Sequence, residues 1–433
     1  MSTPIPHPSP WSVSRVRRLA MLVVLLVTPM VVSTGAEVPT GLPKEIGLSA
    51  KRLQRIDQVI ERAIESKQIS GAVTLVARRG QIGHFRAHGL MDIESNRPMQ
   101  KDTIFPIASM TKPITGVAVL MLVEEGKVRL TDPVSRFIPE FKNTTVAIPI
   151  EKSASDDDGA TIYTVPAHRP ITIRDLLTHT SGLGSGGAGS RETSKVAPRR
   201  FTDTVADYAA ELGAAPLDFQ PGTAWAYSGL AGIDTLGRIV EVASGLTFDA
   251  FLKQRIFEPL GMHDTAFNVQ ADRTSRVVTL YTRTSDGLEL RDVPEWVGTT
   301  TLFSGGGGLW STAEDYLQFA QMLVNSGELN SVRLLGPRTV DLMASNHVGD
   351  LYAKGGRTGG RPGKGFGLTV DVVLDSVKAQ EPRSTGSFGW SGAFGTHYWV
   401  DRSEELTAIL MVQTPGGPLR ADFQNAVMQA IVE

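Results

Sequence analysis

The sequence of 433 residues contains no cysteine. This absence excludes disulfide bonds, thiolate metal sites, cysteine nucleophiles and lipid attachment to an N-terminal cysteine. An excess of one charge sign is missing too, because 43 Lys and Arg residues face 45 Asp and Glu residues. The chain therefore shows no bias toward nucleic acid or acidic partners. The histidines are scattered except for His84 and His88, which have no acidic cluster beside them in the sequence, so no metal site is predicted.

The N-terminal region lacks a hydrophobic run long enough to span a bilayer comfortably. Its apolar segment, 19–32, has only 14 residues and contains Pro29. Three arginines within 15–18 precede this segment and small residues follow it, which is the order typical of a secretory signal peptide. We therefore predict that 1–36 is a signal peptide and that the mature protein begins at Glu37, is exported to the periplasm or the exterior, and keeps no stable membrane insertion. An uncleaved N-terminal anchor and twin-arginine export remain open.

The motif Gly-x-Ser-x-Gly is also absent, which argues against an α/β-hydrolase. A serine nucleophile would then need its base from another arrangement. Ser109 precedes Lys112 by three residues, and no other lysine of the chain has a serine at that spacing. Residues three apart lie on the same face of a helix. The apolar segment 114–126 ends at a glycine and indicates a buried helix, so the sequence predicts an activated serine nucleophile at its start.

Hydrophobic periodicity predicts a two-lobed α+β fold in which both ends of the chain build one antiparallel sheet covered by terminal helices. The predicted elements are a helix over 49–67, strands over 71–77, 81–90, 395–400 and 406–412, and a helix over 421–432. A mostly helical lobe, about 112–343, is inserted between sheet segments of about 45–111 and 344–433. The polar stretches 153–159, 184–200 and 352–365 are predicted as loops.

Several short segments indicate one family when they are taken in order. They are Ser109-Met110-Thr111-Lys112, 176–183, Tyr227-Ser228-Gly229, 258–262, 305–312 and Gly389-Trp390-Ser391-Gly392-Ala393. In this order they resemble the serine β-lactamase and penicillin-binding-protein superfamily, most closely its class C-like esterases, often called family VIII carboxylesterases. The resemblance covers nearly all of the mature chain. It implies that 37–433 forms one β-lactamase-like serine hydrolase domain.

The resemblance also implies roles for individual residues. Ser109 would be the acylated nucleophile, Lys112 its neighbouring cation and Tyr227 the general base. A free tyrosine has a pKa of about 10, so it acts as a base at neutral pH only where positive charge stabilises its phenolate. Lys112 can supply that charge or can itself be the neutral base, and the sequence leaves both possibilities open. The backbone N–H groups of Ser109 and Ala393 would form the oxyanion hole.

Two departures from the family pattern bear on the substrate. The β-lactamase pattern Tyr-x-Asn is replaced by Tyr227-Ser228-Gly229, which removes an amide expected to bind a β-lactam side chain. The Lys-Thr-Gly triad is replaced by Trp390-Ser391-Gly392, which removes a cation expected to bind a carboxylate. The three residues of this replaced triad are the predicted substrate-binding residues. Without that cation the site should favour uncharged acyl groups, and both changes favour an esterase over a β-lactamase.

We conclude from the sequence that the protein is an exported serine hydrolase that cleaves small-molecule carboxylic esters through an acyl-enzyme on Ser109, without a cofactor or metal and without a nucleic-acid partner. One alternative is an enzyme acting on amide bonds, either a β-lactamase or a D-amino-acid peptidase. Others are an acyltransferase that passes the acyl group to an alcohol and an inactive relative that serves as a binding protein. His179 is interpreted as a structural hydrogen-bonding residue, and His397 receives no role.

Overall fold

The computed structural model describes residues 1–4, 6, 37–150, 162–291, 300–355, 361–414 and 416–433. The apolar run of the predicted signal peptide and the predicted loop 153–159 lie outside these residues. All elements below belong to the unit Gly35–Glu433. Within the described ranges, no helix is long and apolar enough to cross a membrane.

The strands are β1 (Gly71–Arg78), β2 (Gln81–Asp92), β3 (Arg97–Pro98), β4 (Phe105–Pro106), β5 (Thr145–Pro149), β6 (Ile162–Pro166), β7 (Tyr281–Arg283), β8 (Leu288–Leu290), β9 (Trp310–Ser311), β10 (Glu328–Leu329), β11 (Val332–Arg333), β12 (Lys364–Phe366), β13 (Asp371–Val373), β14 (Phe388–Ser391), β15 (His397–Asp401) and β16 (Leu406–Val412). The helices are α1 (Ala50–Glu65), α2 (Thr111–Glu124), α3 (Ile173–Leu177), α4 (Ala188–Val196), α5 (Val205–Leu212), α6 (Ala231–Ser244), α7 (Phe248–Leu252), α8 (Glu258–Leu260), α9 (Ala313–Val324), α10 (Pro337–Met343), α11 (Leu351–Lys354), α12 (Ser376–Ala379) and α13 (Leu419–Met428).

Eight strands form one sheet in the order β12-β13-β14-β15-β16-β1-β2-β3, and its neighbouring strands are antiparallel. The two ends of the chain meet where β1 pairs with β16, from Ala72 opposite Val412 to Arg78 opposite Leu406. Both strands are buried at every position, which explains their nearly continuous apolar sequences. The arrangement confirms the predicted α+β fold with a sheet built from both ends of the chain.

Helices cover both faces of this sheet. Helices α1 and α13 pack together on one face, where Ile56, Ile60 and Phe423 are buried with Val76 and Leu410 in one hydrophobic cluster. Helix α9 packs on the opposite face against β1, β15 and β16. From there a larger core continues into the helical lobe, which contains α2 and α6. Helix α2 is buried on nearly all sides, as its uniformly apolar sequence predicts.

The prediction of a loop over 184–200 is wrong, because this stretch contains α4. Asp218 explains the difference: its carboxylate accepts hydrogen bonds from the backbone N–H of Ser185 and of Ser190, both at 2.8 Å, and from both serine hydroxyls. A distant side chain therefore orders a segment whose own sequence carries little apolar periodicity. The predicted loop 352–365 is described only in part and includes the end of α11 and the start of β12.

The turn between β14 and β15 shifts the predicted start of a strand. The strand predicted over 395–400 begins at His397, because Gly395 has a φ of +97° and donates its N–H to the carbonyl of Gly392 at 3.1 Å. Left-handed backbone of this kind favours glycine and ends a strand. The tight turn places Gly392 and Thr396 beside Ile107, which precedes α2.

Candidate active site

The segment around Ser109 is fixed between the sheet and the helical lobe. Ser109 lies in the 3₁₀ turn Ala108–Met110 and therefore precedes α2 instead of lying within it. Its neighbour Ala108 has a φ of +44°, a conformation that costs about 1–3 kcal/mol in a residue other than glycine. The surrounding contacts maintain this turn, since Ile107 donates its N–H to the carbonyl of Leu309 at 3.0 Å.

Lys112 is fully buried and points toward the serine hydroxyl. Its Nζ lies 3.1 Å from Ser109 Oγ and 2.6 Å from the carbonyl oxygen of Gly229, and it also donates to the carbonyl of Gly306. These three acceptors match the three donors of an ammonium group. Among the described residues no carboxylate forms an ion pair with Lys112, so its partners are the nucleophile and two backbone carbonyls.

Tyr227 approaches the same hydroxyl from the helical lobe. Its phenol oxygen lies 2.8 Å from Ser109 Oγ, within hydrogen-bonding distance. Lys112 Nζ lies 5.0 Å from the centre of the Tyr227 ring. The structure thus brings together the three residues that the sequence proposed as nucleophile, cation and base, although Tyr227 lies 118 residues after Ser109 in the chain.

His179 positions the loop that carries Tyr227. Its carbonyl accepts the N–H of Ala226 at 3.2 Å, its Nδ1 accepts the N–H of Ser228 at 3.2 Å, and its ring lies 4.8 Å from the ring of Tyr227. Burial, together with the charge of Lys112, holds the pKa of His179 well below its ordinary value. A neutral ring with Nδ1 as an acceptor carries its proton on Nε2. The hydrogen bonds of His179 to the loop agree with the structural role expected from the sequence.

The third motif packs directly against the turn that holds the nucleophile. A Cβ atom on Gly392 would lie 2.1 Å from Thr396 Oγ1 and 2.5 Å from the carbonyl oxygen of Ile107, so only glycine fits at this position. The next residue, Ala393, lines the same cavities as Ser109. The two backbone amides predicted to form the oxyanion hole therefore belong to segments that meet at one site.

Two cavities open from this point, and Ser109, Tyr227 and Ala393 line both of them. The apolar cavity has a volume of about 370 Å³. Its apolar side chains are Ala108, Phe201, Leu230, Leu302 and Phe394, and Arg199 and Arg291 also contribute to its wall. A cavity of this character suits a small uncharged acyl or alkyl group.

The cationic cavity has a volume of about 520 Å³ and is lined by the predicted substrate-binding residues Trp390, Ser391 and Gly392. Its charged residues are Arg361, Lys364, Asp371, Glu381, Arg383 and Arg420. The loss of the Lys-Thr-Gly lysine therefore does not leave the site without cations, because other elements supply them. The sequence did not predict this cluster.

Trp390 packs against neighbouring aromatic rings and also lines the site. Its ring lies 5.6 Å from the ring of Tyr227 and 5.3 Å from that of Phe366, within an aromatic cluster beside the loop that carries Tyr227. The same side chain borders the cationic cavity. A substitution at Trp390 would consequently change the packing of Tyr227 as well as the shape of the cavity.

Asp234 is a buried residue beside the site that the sequence reasoning missed. It is fully buried in α6, and its Oδ1 accepts hydrogen bonds from Ser304 Oγ at 2.7 Å and from the backbone N–H of Gly306 at 2.9 Å. The carbonyl of Gly306 in turn accepts from Lys112. In sequence, an acidic residue in the first turn of a helix is explained well enough by the helix dipole, so its position gave no signal of a role at the site.

We predict that Asp234→Ala lowers both stability and activity. The substitution leaves the buried N–H of Gly306 and the hydroxyl of Ser304 without an acceptor, at a cost of about 1–3 kcal/mol for each group. It also removes the bond that fixes Gly306, whose carbonyl binds Lys112. The lysine is then misplaced, so kcat should fall about tenfold or more. Urea unfolding and steady-state kinetics measure the two effects.

The comparison variants make this prediction specific. Asp234→Asn keeps an oxygen acceptor and should lose less activity, whereas Asp272→Ala, at an exposed position, should behave as the unaltered protein. If Asp234→Ala retained full stability and full kcat, the proposed support of Lys112 through Gly306 would be wrong.

Comparison with protein families matches residues 56–433 to the Beta-lactamase family. The chain belongs to the β-lactamase family. Esterase EstB of Burkholderia gladioli is 34% identical over 416 residues, which cover 89% of this chain and 97% of the relative. Protein Rv1367c of Mycobacterium tuberculosis is 38% identical over 362 residues, which cover 82% of this chain and 88% of the relative.

A solved structure extends the likeness to three dimensions. EstCE1, described as a hydrolase with promiscuous acyltransferase activity, aligns with a TM-score of 0.73 at 27% identity, over 87% of this chain and 99% of its own. The suspected family and the fold class are thereby confirmed. In this member of the β-lactamase family, segments 109–112, 227–229, 305–312 and 389–393 meet around one serine hydroxyl, while 176–183 supplies His179 behind them.

Proposed function

We propose that this protein hydrolyses carboxylic esters through an acyl-enzyme on Ser109. The observation that carries the proposal is the position of Ser109 Oγ, 3.1 Å from Lys112 Nζ and 2.8 Å from the hydroxyl of Tyr227, where two cavities meet. A serine hydroxyl needs such an activating group to attack a carbonyl. The 34% identity to an enzyme named an esterase supports ester hydrolysis within the family.

The proposed mechanism assigns the base to Tyr227. Its phenolate, stabilised by Lys112, takes the proton of Ser109 as Oγ attacks the ester carbonyl. The N–H groups of Ser109 and Ala393 donate to the oxyanion of the tetrahedral intermediate. Tyr227 then gives its proton to the departing alcohol, and water repeats the cycle to release the acid. In this geometry Lys112 acts by charge and position, because each of its three donors already has an acceptor.

The shape of the site favours esters over β-lactams. Gly229 occupies the place of the asparagine of the β-lactamase pattern, and its carbonyl is engaged by Lys112. Trp390 stands where the family triad has its lysine, so the strand beside the nucleophile presents an aromatic ring at the position expected to bind a β-lactam carboxylate, and the cations of this cavity come from other segments. The apolar cavity accommodates an uncharged chain directly beside Ser109.

Acyl transfer to an alcohol is a second candidate function. Two cavities meet at Ser109, so one could hold the acyl group while the other holds an acceptor alcohol. The solved relative EstCE1 is itself described as a hydrolase with acyltransferase activity. Product analysis with added short alcohols tests this candidate, since transfer yields a new ester in place of the free acid.

The experiment for the main proposal compares a short-chain nitrophenyl ester with a chromogenic cephalosporin. We expect a higher kcat/KM for the ester and, in a rapidly quenched reaction, an acyl mass on the peptide that contains Ser109. A preference for the cephalosporin would overturn the ester assignment. Absence of turnover and of acylation with both substrates would favour the inactive binding protein.

We also propose that the protein is exported after removal of 1–36. The order of arginines, apolar run and small residues supports this proposal. The expected result is a secreted or periplasmic product whose first residue, determined by mass spectrometry, is Glu37. Replacing two leucines of the apolar run with arginine, Leu25→Arg with Leu26→Arg, should leave the unprocessed chain inside the cell. A membrane-bound product that retains the N-terminus would instead support the anchor.

A further inference from the structure

The cationic cavity leads from Ser109 to an ionic cluster on β12, β13 and the segment before β14. Lys364 Nζ lies 2.8 Å from Asp371 Oδ2 and 3.1 Å from Glu381 Oε1. Arg383 donates to the same oxygen of Glu381 at 2.8 Å. Glu381 also accepts from Gln424 of α13 at 3.2 Å, which joins the cluster to the terminal helix. These contacts hold the charged groups in place at the wall of the cavity.

Arg383 is the unusual member of this cluster. Its side chain is 2% exposed, yet Nε and Nη1 have no hydrogen-bond partner among the described residues. Leaving a buried charged donor without an acceptor is costly, so such donors in folded proteins generally have a hydrogen-bond partner. Because Arg383 also lines the cavity that opens at Ser109, its guanidinium group lies beside the space that a bound ligand would occupy.

The charges around Arg383 favour an anion. Arg361 and Arg420 line the same cavity, so four cations face only the two carboxylates of Asp371 and Glu381. Burial alone would raise the pKa of Asp371, but Lys364 and Arg383 hold it below its ordinary value, so this carboxylate is already ionised and the excess of positive charge remains.

His397, on the neighbouring strand β15, lines the same cavity and lies near the same positive charges. Its Nδ1 lies 2.9 Å from Ser391 Oγ, at the edge of the cavity. Burial, followed by the charges of Arg383 and Arg420, lowers the pKa of His397 to about 3. The ring is therefore neutral, and it adds a polar group to the wall of the cavity without compensating the charge.

We propose that Arg383, supported by Lys364, binds a free carboxylate of the substrate, so that the preferred substrates are esters that carry a second, ionised carboxyl group. This inference rests on the proposed ester hydrolysis at Ser109. A guanidinium group is planar, always charged and well matched to carboxylate oxygens. The uncharged end of such a substrate would occupy the apolar cavity, while its carboxylate would reach Arg383 through the cationic cavity.

Two matched pairs of esters test the inference. The first pair is the mono-4-nitrophenyl ester of glutaric acid and its methyl-capped counterpart, with the charge on the acyl side. The second pair is 4-carboxyphenyl butyrate and its methyl ester, with the charge on the alcohol side. After subtraction of the rate measured without enzyme, which for the glutarate ester includes attack by its own carboxylate, we expect kcat/KM for the charged member of at least one pair to exceed that of the neutral member about tenfold or more.

Variants then identify the residue that causes the preference for the charged ester. Arg383→Gln should reduce this charged-to-neutral ratio about tenfold, because a charge-assisted hydrogen bond is lost. Lys364→Gln should reduce it less, since Lys364 already pairs with two carboxylates. The matched control is Arg338→Gln, which removes the same charge from a side chain that is 96% exposed, and it should leave the ratio unchanged.

The outcomes separate this inference from the proposed function. If neutral esters are hydrolysed but neither charged member is preferred, the carboxylate site is wrong and the esterase assignment stands. If no ester is hydrolysed, the proposed function itself fails. If Arg383→Gln does not fold, the test is competitive inhibition of neutral-ester hydrolysis by glutarate in the unaltered protein. Inhibition that weakens as salt is added would support the carboxylate site, and absence of inhibition would overturn it.

Discussion

Ser109→Ala should abolish ester hydrolysis while leaving the protein folded. Ser109 Oγ lies within hydrogen-bonding distance of both Lys112 and Tyr227. Removing a serine nucleophile typically lowers kcat by roughly 10⁴-fold or more. Folding should be little affected, because Lys112 keeps its bonds to the carbonyls of Gly229 and Gly306. Nitrophenyl ester turnover and thermal unfolding, measured on the same preparation, check both statements.

The control for this prediction is Ser403→Ala, at an exposed position, which should retain full activity. The acyl mass expected on the unaltered protein should also be absent in Ser109→Ala. Substantial turnover in Ser109→Ala would place the nucleophile elsewhere, and the mechanism proposed for this family member would have to be abandoned.

The sequence predicted four of the eight strands of the sheet, β1, β2, β15 and β16, because their signals are local, whereas the short strands β3, β12, β13 and β14 were not predicted. Strand β16 has the bounds predicted for it, 406–412, and the hairpin of β1 and β2 turns at Arg79-Gly80, where both residues have a positive φ as a tight hairpin turn requires. Alternating or continuous apolar runs bounded by such turns specify strands with little help from distant residues. The long amphipathic helix α1 was likewise predicted to within a few residues.

The nucleophile was predictable for a different reason. Ser109 and Lys112 are separated by less than one helical turn, so their proximity follows from chain geometry. Tyr227 was assigned by resemblance alone, since no local pattern brings it to Ser109. The strain at Ala108 was not foreseen, because it arises from contacts made by the segment that contains Leu309.

The cationic cavity could not be predicted from patterns. Lys364 and Arg383 lie on separate segments of one sheet edge and Arg420 lies on the terminal helix, so only the folded arrangement shows that they share a wall. In the sequence alone, each of these three residues resembles an ordinary charged residue near a turn. The replaced triad suggested a site without positive charge at that strand, whereas the fold supplies positive charge from its neighbours.

Tyr227→Phe should reduce kcat by about 10²- to 10⁴-fold with little change in stability, because it removes a proton-transfer group and keeps the packed ring. The ring contacts with His179 and Trp390 do not involve the hydroxyl. The loss should be larger for an alkyl ester than for a nitrophenyl ester, since an alkoxide needs a proton to leave and a nitrophenolate does not. Parallel kinetics on the two esters measure the difference.

The same variant decides which residue is the base. If Lys112 accepted the proton of Ser109, Tyr227→Phe would keep activity within a few-fold, and the two esters would be affected equally. Tyr163→Phe, which removes a hydroxyl from a side chain that is 52% exposed, controls for the chemical change alone and should have no effect. A large, leaving-group-dependent loss would assign the proton transfers to Tyr227, with Lys112 held beside it by two backbone carbonyls.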